Sequence, residues 1–421
     1  MTQKHLIGIS FAGLTAAALS LPASAQTQDS NFSRDRSVAV QDRADAAYAA
    51  QGIPWASFVI TPQVEGDLGY NDNVLYTQSN KKSSSFLEML PSVEVASDWG
   101  RNALSLGATS RIDKYDSASS EDTVTWDVNA AGRLDISSAA NLAANLSHES
   151  GFESRSDFLA DPDAKKPMPM DTNSVGATLT WVGNRLRFQG GLATSSVVYG
   201  TVASLNGGII DDHFRDMTED QATGRVDYAI SPSISVFLYG EANQRRYKID
   251  PSSNSDGQIL SVGTSFEIGS LARGEIEVGS LNQDYKKLVN GNQSSTYFNG
   301  KVQYFPTELT TLTGTANRSY SDTPSVTGGY TALNTQLGFA VDHELLRNLI
   351  LKGAYEHSSY DFSGISRNDT ANTVSLGVRY YMNGRVYLKV GYDYEKYKST
   401  GAQASRNFTD NAVRIGIVAS Y

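Results

Sequence analysis

The sequence predicts an all-β protein: a closed antiparallel transmembrane β-barrel of about sixteen to eighteen strands, with short periplasmic turns and long extracellular loops. Three observations carry this prediction. Apolar and polar residues alternate with a period of two from residue 57 onward, short and long connections alternate between the strands, and the chain ends in an alternating stretch that closes on an aromatic residue. A β-sandwich would not need connections that alternate in length, and a β-helix would show a repeat of about 20–30 residues, which the sequence lacks.

The N-terminus has the layout of a secretory leader. Lys4 and His5 precede a mainly apolar run over residues 6–21, and Ala23-Ser24-Ala25 then offers a small-x-small cleavage site. This arrangement predicts a signal peptide over residues 1–25, which is removed on export. After it, no stretch approaches the roughly 20 apolar residues that a membrane-spanning helix needs.

Residues 26–56 differ in composition from the rest of the chain and are predicted to form a periplasmic leader. The leader is expected to be partly disordered, and its alanine-rich part, 38–51, suits a short helix before Gly52 and Pro54. Such a helix could lie free in the periplasm or inside the barrel mouth, and a simple leader is the preferred interpretation. The barrel itself is predicted over residues 57–421.

The clearest strand pair lies near the C-terminus. Apolar residues occupy alternate positions over 374–380 and again over 386–394, and Asn383-Gly384 stands between the two runs. Successive side chains of a strand point to opposite faces, so each run has one apolar and one polar face. Asn-Gly is the favoured two-residue hairpin turn, and the segment is therefore predicted to be a hairpin.

The same unit recurs along the chain, with short turns and longer polar loops in alternation, as in outer-membrane barrels whose turns are periplasmic and whose loops are outside. The final residues resemble the C-terminal signature that the barrel-assembly machinery reads. The residues assigned to this assembly signal are Val413, Ile415, Ile417, Ala419 and Tyr421.

Composition excludes several other classes. The chain has no cysteine, which excludes a disulfide framework and thiolate metal sites. Its net charge of -10 argues against nucleic acid as a partner, since a basic footprint is expected there. Mean hydropathy is only -0.33, but a barrel gives such a value because only alternate residues face lipid.

The polar face of the strands is predicted to line the lumen, where charged rings tune selectivity. The alternative is that opposite charges pair to hold the wall together, and the mixture of signs predicts at most a weak cation preference. The longest loops, 153–171 and 200–216, are candidates to fold inward and narrow the pore, or to remain at the surface. The candidate pore-lining residues are Arg111, Arg133, Arg187, Arg225, Glu241, Glu267, Arg273, Glu275, Glu277, Arg379, Lys389, Asp393, Glu395 and Arg414.

An outer-membrane hydrolase is the rival class. It would need a nucleophile activated by a nearby base. His148 lies beside Glu149 and Ser150 and is the least implausible base, but no hydrolase motif surrounds it. No catalytic, cofactor or metal residues are predicted.

The segment 52–101 resembles one family closely enough to name it, and the resemblance covers roughly residues 50–421. The stretches Ser57-Phe58 with Pro62, Asn71-Asp72-Asn73-Val74 and Asp98-Trp99-Gly100-Arg101 match the first-strand, N-D-N-V and D-W-G-R patterns of the type 2 outer-membrane β-barrel porins, found chiefly in α-proteobacteria. The resemblance implies a porin in the cell outer membrane, in contact with lipid and lipopolysaccharide. Members often lie near exopolysaccharide or capsule genes, so a role in polysaccharide export with partner proteins is the alternative to passive diffusion of small hydrophilic solutes.

Overall fold

The computed structural model describes residues 31–43, 48–286, 291–324 and 331–421. Eighteen long antiparallel strands close into one barrel, which confirms the predicted fold class at the upper end of the expected strand count. The wall strands are β2 (Phe58–Asn71), β3 (Ser84–Ser97), β4 (Ala103–Tyr115), β5 (Thr123–Asp135), β6 (Ala140–Phe152), β7 (Pro169–Val182), β8 (Leu186–Tyr199), β11 (Met217–Ser231), β12 (Ile234–Tyr247), β13 (Ser255–Ile268), β14 (Ala272–Tyr285), β15 (Asn292–Thr307), β16 (Thr310–Asp322), β17 (Thr331–Leu346), β18 (Leu349–Ser363), β19 (Asn368–Tyr381), β20 (Val386–Thr400) and β21 (Phe408–Ser420). The three-residue strand β1 (Ile53–Trp55) folds back on the start of β2.

The barrel is closed by its first and last long strands. β2 pairs with β21 from Gln63↔Ser420 to Asn71↔Ala412. Each of the remaining wall strands pairs with the wall strands that precede and follow it in the chain. The short hairpin β9 (Thr201–Ala203) and β10 (Ile209–Asp211) lies between β8 and β11, which pair directly. Closure matters because an unpaired backbone amide costs several kcal/mol in lipid, so a sheet can span only without open edges.

The two faces of the wall reverse the arrangement of a soluble protein. On β13, Leu260 and Val262 are exposed on the outside, whereas Ser261, Ser265 and Glu267 are buried on the inside. This alternation is what the period of two in the sequence predicts, because a spanning strand presents one face to lipid and one to the lumen. The buried interior is therefore largely polar.

Exposed aromatic side chains lie near both ends of the outer face, as expected where lipid meets water. They include Trp181, Tyr228, Tyr304 and Tyr380 near the short turns, and Tyr70 and Trp126 near the long loops.

The described part of the leader lies against the inner wall near the short turns. Phe32, Ala39 and Val40 in it are buried. The predicted short helix over 38–51 is absent from the described residues 38–43 and 48–51, which form turns and irregular backbone, and 44–47 lie outside the described residues, as does the predicted signal peptide. Among the residues that the structure describes, no helix has the length and apolarity to cross a membrane.

Candidate functional site in the barrel lumen

One charged group of the lumen wall is built from the paired strands β8 and β11 together with β14, two strands further along the wall from β12. Asp227 is fully buried and accepts bonds from Arg187 Nη2 at 3.0 Å and Arg225 Nη2 at 2.9 Å. Arg225 also reaches Glu275 at 2.7 Å, and its guanidinium lies 3.6 Å from the centre of the Phe237 ring. These side chains hold one another in place, because charge-assisted hydrogen bonds fix the planar guanidinium groups.

A second charged group lies on the side where the barrel closes. Glu65, Asp67 and Glu88 are buried, and their carboxylate oxygens lie within 4.8 Å of one another. Such a spacing would suit a metal ion, but two side-chain cations already reach the group. Lys389 bonds Glu65 and lies 2.5 Å from Asp67, and Arg111 lies 2.6 Å from Glu88. The group is therefore an ion-pair network that joins β2, β3, β4 and β20.

A third group consists of carboxylates whose hydrogen-bond donors are neutral. Glu241 accepts from the hydroxyl of Tyr239 at 2.6 Å. Glu277 accepts from Ser261 at 2.6 Å and from Asn299 at 3.0 Å. In the first two groups, most carboxylates are paired with a cation. Glu241 and Glu277 accept hydrogen bonds from neutral donors instead, so their negative charge on the wall is not compensated in this way.

The loop between β6 and β7 folds inward and crosses the lumen; we call residues 153–168 the crossing loop. The Phe158 ring stacks on Tyr360 of β18 with centroids 4.4 Å apart, and β18 stands on the opposite side of the barrel from β6 and β7. Phe158 also packs with Ala332, Tyr397 and Phe408 in one apolar cluster. The loop thus spans the bore from wall to wall.

Polar contacts fix residues 155–158 of the crossing loop to three other loops. Near its start, Arg155 Nε bonds Glu121 at 2.8 Å. At the far side, Arg367 Nη2 donates to the Phe158 carbonyl at 3.0 Å, and Arg406 Nη2 donates to the Asp157 carbonyl at 2.7 Å. The tip of the crossing loop therefore contacts Arg367 and Arg406, which lie in two other loops, through its backbone carbonyls.

Asp157 is the titratable group at the tip of the crossing loop. Burial, together with the nearby Glu153 carboxylate, raises the pKa of Asp157 to about 7, although Arg215 and Arg406 act in the opposite direction. Burial raises a carboxyl pKa because the low-dielectric surroundings disfavour the charged form.

The second long loop, between β8 and β11, supports the crossing loop. Arg215 is buried and bonds Glu153 at 2.5 Å and Asp212 at 2.9 Å, and its guanidinium lies over the Tyr199 ring. Both loops that the sequence marked as candidates to narrow the pore therefore lie on the lumen side and pack on each other.

The periplasmic half of the lumen holds residues 31–43, which we call the inner segment. Arg34 Nη2 donates to Ser235 at 3.1 Å, the Ser37 amide donates to Glu267 at 3.2 Å and the Val40 amide donates to Thr311 at 3.0 Å. Its residues thus bond the wall strands β12, β13 and β16 in turn.

Apolar and ionic contacts add to this seating. Phe32 packs with Val182 and Ala229, and its ring lies 4.9 Å from the guanidinium of Arg187. At the other end, Arg43 bonds Glu344 of β17 at 2.8 Å. The inner segment therefore runs across a sector of the wall from β7 to β17.

The comparison with protein families decides the identity. A family model described as putative β-barrel porin 2 matches residues 45–421, nearly all of the predicted mature chain. The chain belongs to this porin family. The sequence resemblance stated above is thereby confirmed, and the porin is placed in the outer membrane.

Solved porin structures also resemble the fold. Pseudomonas aeruginosa OccK2 (OpdF) in complex with glucuronate is 10% identical, with 88% of this chain and 100% of that chain covered and a TM-score of 0.48. P. aeruginosa OpdK with vanillate is 11% identical, with 86% and 99% covered and a TM-score of 0.47. A BenF-like porin from Pseudomonas fluorescens Pf-5 is 10% identical, with 87% and 99% covered and a TM-score of 0.46. A search of the curated proteins found no match.

The candidate pore-lining residues lie on the inward face of the porin's strands, in alternation with the exposed apolar residues. Their part in transport stays a prediction. Several of them lie outside the three groups above. Two form ion pairs with an aspartate of the wall: Arg133 Nε lies 3.0 Å from Asp135, and Arg414 Nη2 lies 2.5 Å from Asp393. Of the others, Glu267 bonds the inner segment, Arg273 Nε donates to Gln303 at 2.8 Å, Arg379 Nη1 lies 3.3 Å from the Tyr381 hydroxyl, and Glu395 faces inward two residues from buried Tyr397.

Sequence reasoning missed part of the porin's charged wall. Glu65, Asp67 and Glu88 were not singled out, although the residues next to them in sequence, Val64, Leu68 and Leu87, are exposed on the outer face. The alternation on β2 was a usable signal, but Gly66 and Gly69 weaken it because they mark neither face.

The C-terminal residues close the porin's barrel. Val413, Ile415 and Ile417 are exposed on the outer face of β21, as their alternation predicts, and the Tyr421 carbonyl accepts a bond from the Gly52 amide at 2.9 Å. Their reading by the assembly machinery stays a prediction.

His148 lies on the outer face of the porin rather than in the lumen. Its ring is 4.8 Å from that of Trp126, and its Nδ1 lies 2.8 Å from Asn173 Oδ1. A ring in the aromatic zone of a lipid-facing wall fits the structural interpretation of this residue. The family and the fold indicate a channel rather than an enzyme.

Proposed function

We propose that this porin is a passive diffusion channel for small hydrophilic solutes. Its lumen is narrowed at the extracellular end by the crossing loop and at the periplasmic end by the inner segment. The observation that carries the proposal is the polar, charged inner wall of an eighteen-strand barrel. Barrels of about 16–18 strands leave an aqueous channel, whereas barrels of about eight strands are filled by side chains. The match to the family model supports a channel and gives no support to the polysaccharide-export alternative.

The wall charges suggest the selectivity of this channel. Arg187, Arg225 and Asp227 hold one another, so that neither sign dominates there. Glu241 and Glu277 instead accept from hydroxyl and amide donors. We therefore expect a weak preference for cations, since uncompensated carboxylates raise the local cation concentration.

Single-channel conductance of the refolded mature chain in a planar bilayer tests the proposal. Wild-type protein should give stable conductance steps, and reversal potentials in a salt gradient should show the weak cation preference. A variant in which residues 155–166 are replaced by a short Gly-Ser linker should give severalfold larger steps, because Phe158 and its neighbours no longer cross the bore.

Shortening a different extracellular loop provides the matched control. Residues 78–80, in the loop between β2 and β3, are exposed, so their deletion should leave the conductance near the wild-type value. Silence from wild-type protein that is shown to be folded would contradict the passive channel. Equal steps from the wild type and the crossing-loop variant would contradict the constriction alone.

The route by which the protein reaches the outer membrane is a further part of the proposal. Residues 1–25 act as a signal peptide, and the mature chain begins at Gln26, before the inner segment. The barrel-assembly machinery then inserts the chain, with β21 as its recognition strand. N-terminal sequencing of protein taken from outer membranes should start at Gln26, and an intact Met1 there would contradict the cleavage.

A further inference from the structure

The outer face of β20 changes character along the strand. Its outward-facing side chains run from apolar at the short-turn end, through two tyrosines, to lysines at the long-loop end. In order they are Leu388, Val390, Tyr392, Tyr394, Lys396 and Lys398. Tyrosines mark the level at which lipid tails give way to headgroups, so the two lysines lie at headgroup level on the side of the extracellular loops.

A third lysine joins them from the loop between β2 and β3. Lys81 Nζ donates to Thr409 Oγ1 at 2.6 Å and to the Thr409 carbonyl at 2.8 Å. Thr409 is the direct register partner of Lys396 across β20 and β21. Side chains directly opposite on neighbouring strands are about 5 Å apart at Cβ, so Lys81, Lys396 and Lys398 form one cluster, which we call the rim lysine patch.

The register partners of Lys396 and Lys398 on β19 are neutral hydrogen-bonding groups. Lys396 pairs in register with Asn372, and Lys398 pairs with Thr370. Within the described part of the chain, neither lysine forms an ion pair with a carboxylate. The three lysines are also exposed, so their charge is available to a ligand.

Two other outward-facing cations at this rim are paired with carboxylates. Lys114 lies 3.1 Å from Asp122, and Arg246 lies 2.5 Å from Asp256. The chain as a whole carries a net charge of -10. Lys396 and Lys398 differ from these two cations, because their charges are not neutralised by a neighbouring carboxylate among the residues that the structure describes.

We propose that the rim lysine patch binds the phosphate groups of a phosphorylated glycolipid in the outer leaflet. The ligand comes from the bilayer because the lysines face outward, away from the lumen, directly above the tyrosine zone. Ammonium groups bind phosphate through charge-assisted hydrogen bonds. Asn372 and Thr370 lie beside them to donate to sugar or phosphate oxygens, and the acyl chains of the glycolipid would lie along Val390 and Leu388.

Native mass spectrometry of the protein extracted from outer membranes in mild detergent tests the assignment. Wild-type protein should retain the phosphorylated glycolipid, and Lys396→Gln with Lys398→Gln should reduce its affinity by about tenfold for each ammonium–phosphate hydrogen bond that the substitutions remove. Lys114→Gln is the matched control, because it removes a rim lysine that already has a carboxylate partner. That variant should retain as much glycolipid as the wild type.

A titration of refolded wild-type protein separates the possible ligands and does not depend on any variant folding. Bisphosphorylated lipid A should bind more tightly than its monophosphorylated form, and both more tightly than phosphatidylglycerol. Retention that is equal in the double variant, or lost equally in Lys114→Gln, would overturn the proposal. So would an affinity that does not change with phosphate number, or binding of inorganic phosphate as strong as that of lipid A.

Discussion

At the scale of single residues, Asp157 shows how a carboxyl group can couple channel geometry to pH. It is buried at the tip of the crossing loop, near Glu153 and below the guanidinium of Arg406. Its pKa is raised to about 7, compared with about 3.9 for an exposed aspartate. The packed loop therefore favours the protonated form, and a loop released into water favours the ionised form.

The sign of the pH dependence follows from this difference. The stabilisation of the packed loop by protonated Asp157 is complete below about pH 4 and is lost progressively as the pH rises to about 7. Conductance should therefore be larger and more variable at pH 8 than at pH 5. Asp157→Asn, which stays neutral, should keep the smaller conductance at both values in planar-bilayer recordings.

An exposed carboxyl in the same loop serves as the control. Asp163 lies outside the apolar cluster, and Asp163→Asn should retain the wild-type response. If Asp157→Asn responds to pH as the wild type does, the response arises from another group.

Residue placement could be predicted only where the period of two is clean. Arg187 was assigned to the lumen because Leu186 and Phe188 on either side of it marked the other face, and Arg225 because Val226 did so. Their common partner Asp227 lies on β11 beside β8, and such a pairing depends on strand register, which the alternation of residues does not specify. Ser261 and Asn299, which donate to Glu277 from the strands on either side of it, escaped notice for the same reason.

At the scale of elements, the inner segment is held by many separate contacts of modest strength. A hydrogen bond contributes a net stability of about 0.5–1.5 kcal/mol, so the amides of Ser37 and Val40 count individually for little. Burial of Phe32 against Val182 adds an apolar contact at the other end. Segments held in this way open locally more easily than the wall strands do.

Replacement of residues 31–43 by a Gly-Ser stretch of equal length should increase single-channel conductance, because Phe32 and Arg34 leave the lumen. The wall should stay folded, since its ladder of strand pairs does not depend on the segment. Planar-bilayer recordings measure the change, and heat-modifiable gel mobility checks the fold.

Asp35 provides the comparison for this experiment, since it is exposed within the segment. Asp35→Ser should leave the conductance unchanged. A Gly-Ser variant that conducts like the wild type would show that the inner segment lies clear of the solute path.

The course of the two lumen elements could not be read from the sequence. Loop length marked 153–171 as a candidate, but the seat of Phe158 depends on Tyr360, which is distant in sequence. The leader has no strand period, so a free segment was the simpler prediction. Its contacts with β12, β13 and β16 exist only once those strands are next to one another.

At the scale of the whole molecule, the fold was predictable because one constraint acts on every strand. Each must present an apolar face to lipid, so the period of two repeats through the wall, and loop alternation follows from antiparallel closure. The strand count was left as a range because bulged ends near Ser231, Thr307 and Leu346 blur where strands stop.

Removal of Tyr421 should separate assembly in cells from stability of the finished barrel. Its side chain is half exposed and its ring lies 4.3 Å from the Arg385 guanidinium, so its removal leaves the packing of the wall largely intact. We expect a severalfold fall in outer-membrane protein, measured by quantitative immunoblot, together with near-normal refolding in detergent. An equal fall in both assays would indicate that Tyr421 acts through stability alone.

The crossing loop also has a mechanical consequence. A wide cylinder of eighteen strands flattens into an ellipse at little energetic cost, because every hydrogen bond between strands survives the change of curvature. The crossing loop begins at β6, ends at β7 and contacts β18, so it connects opposite walls across the diameter of the barrel. Lateral pressure from the bilayer along that diameter is then carried by the stack of Phe158 on Tyr360, and the cross-section keeps its shape as the surrounding lipid changes.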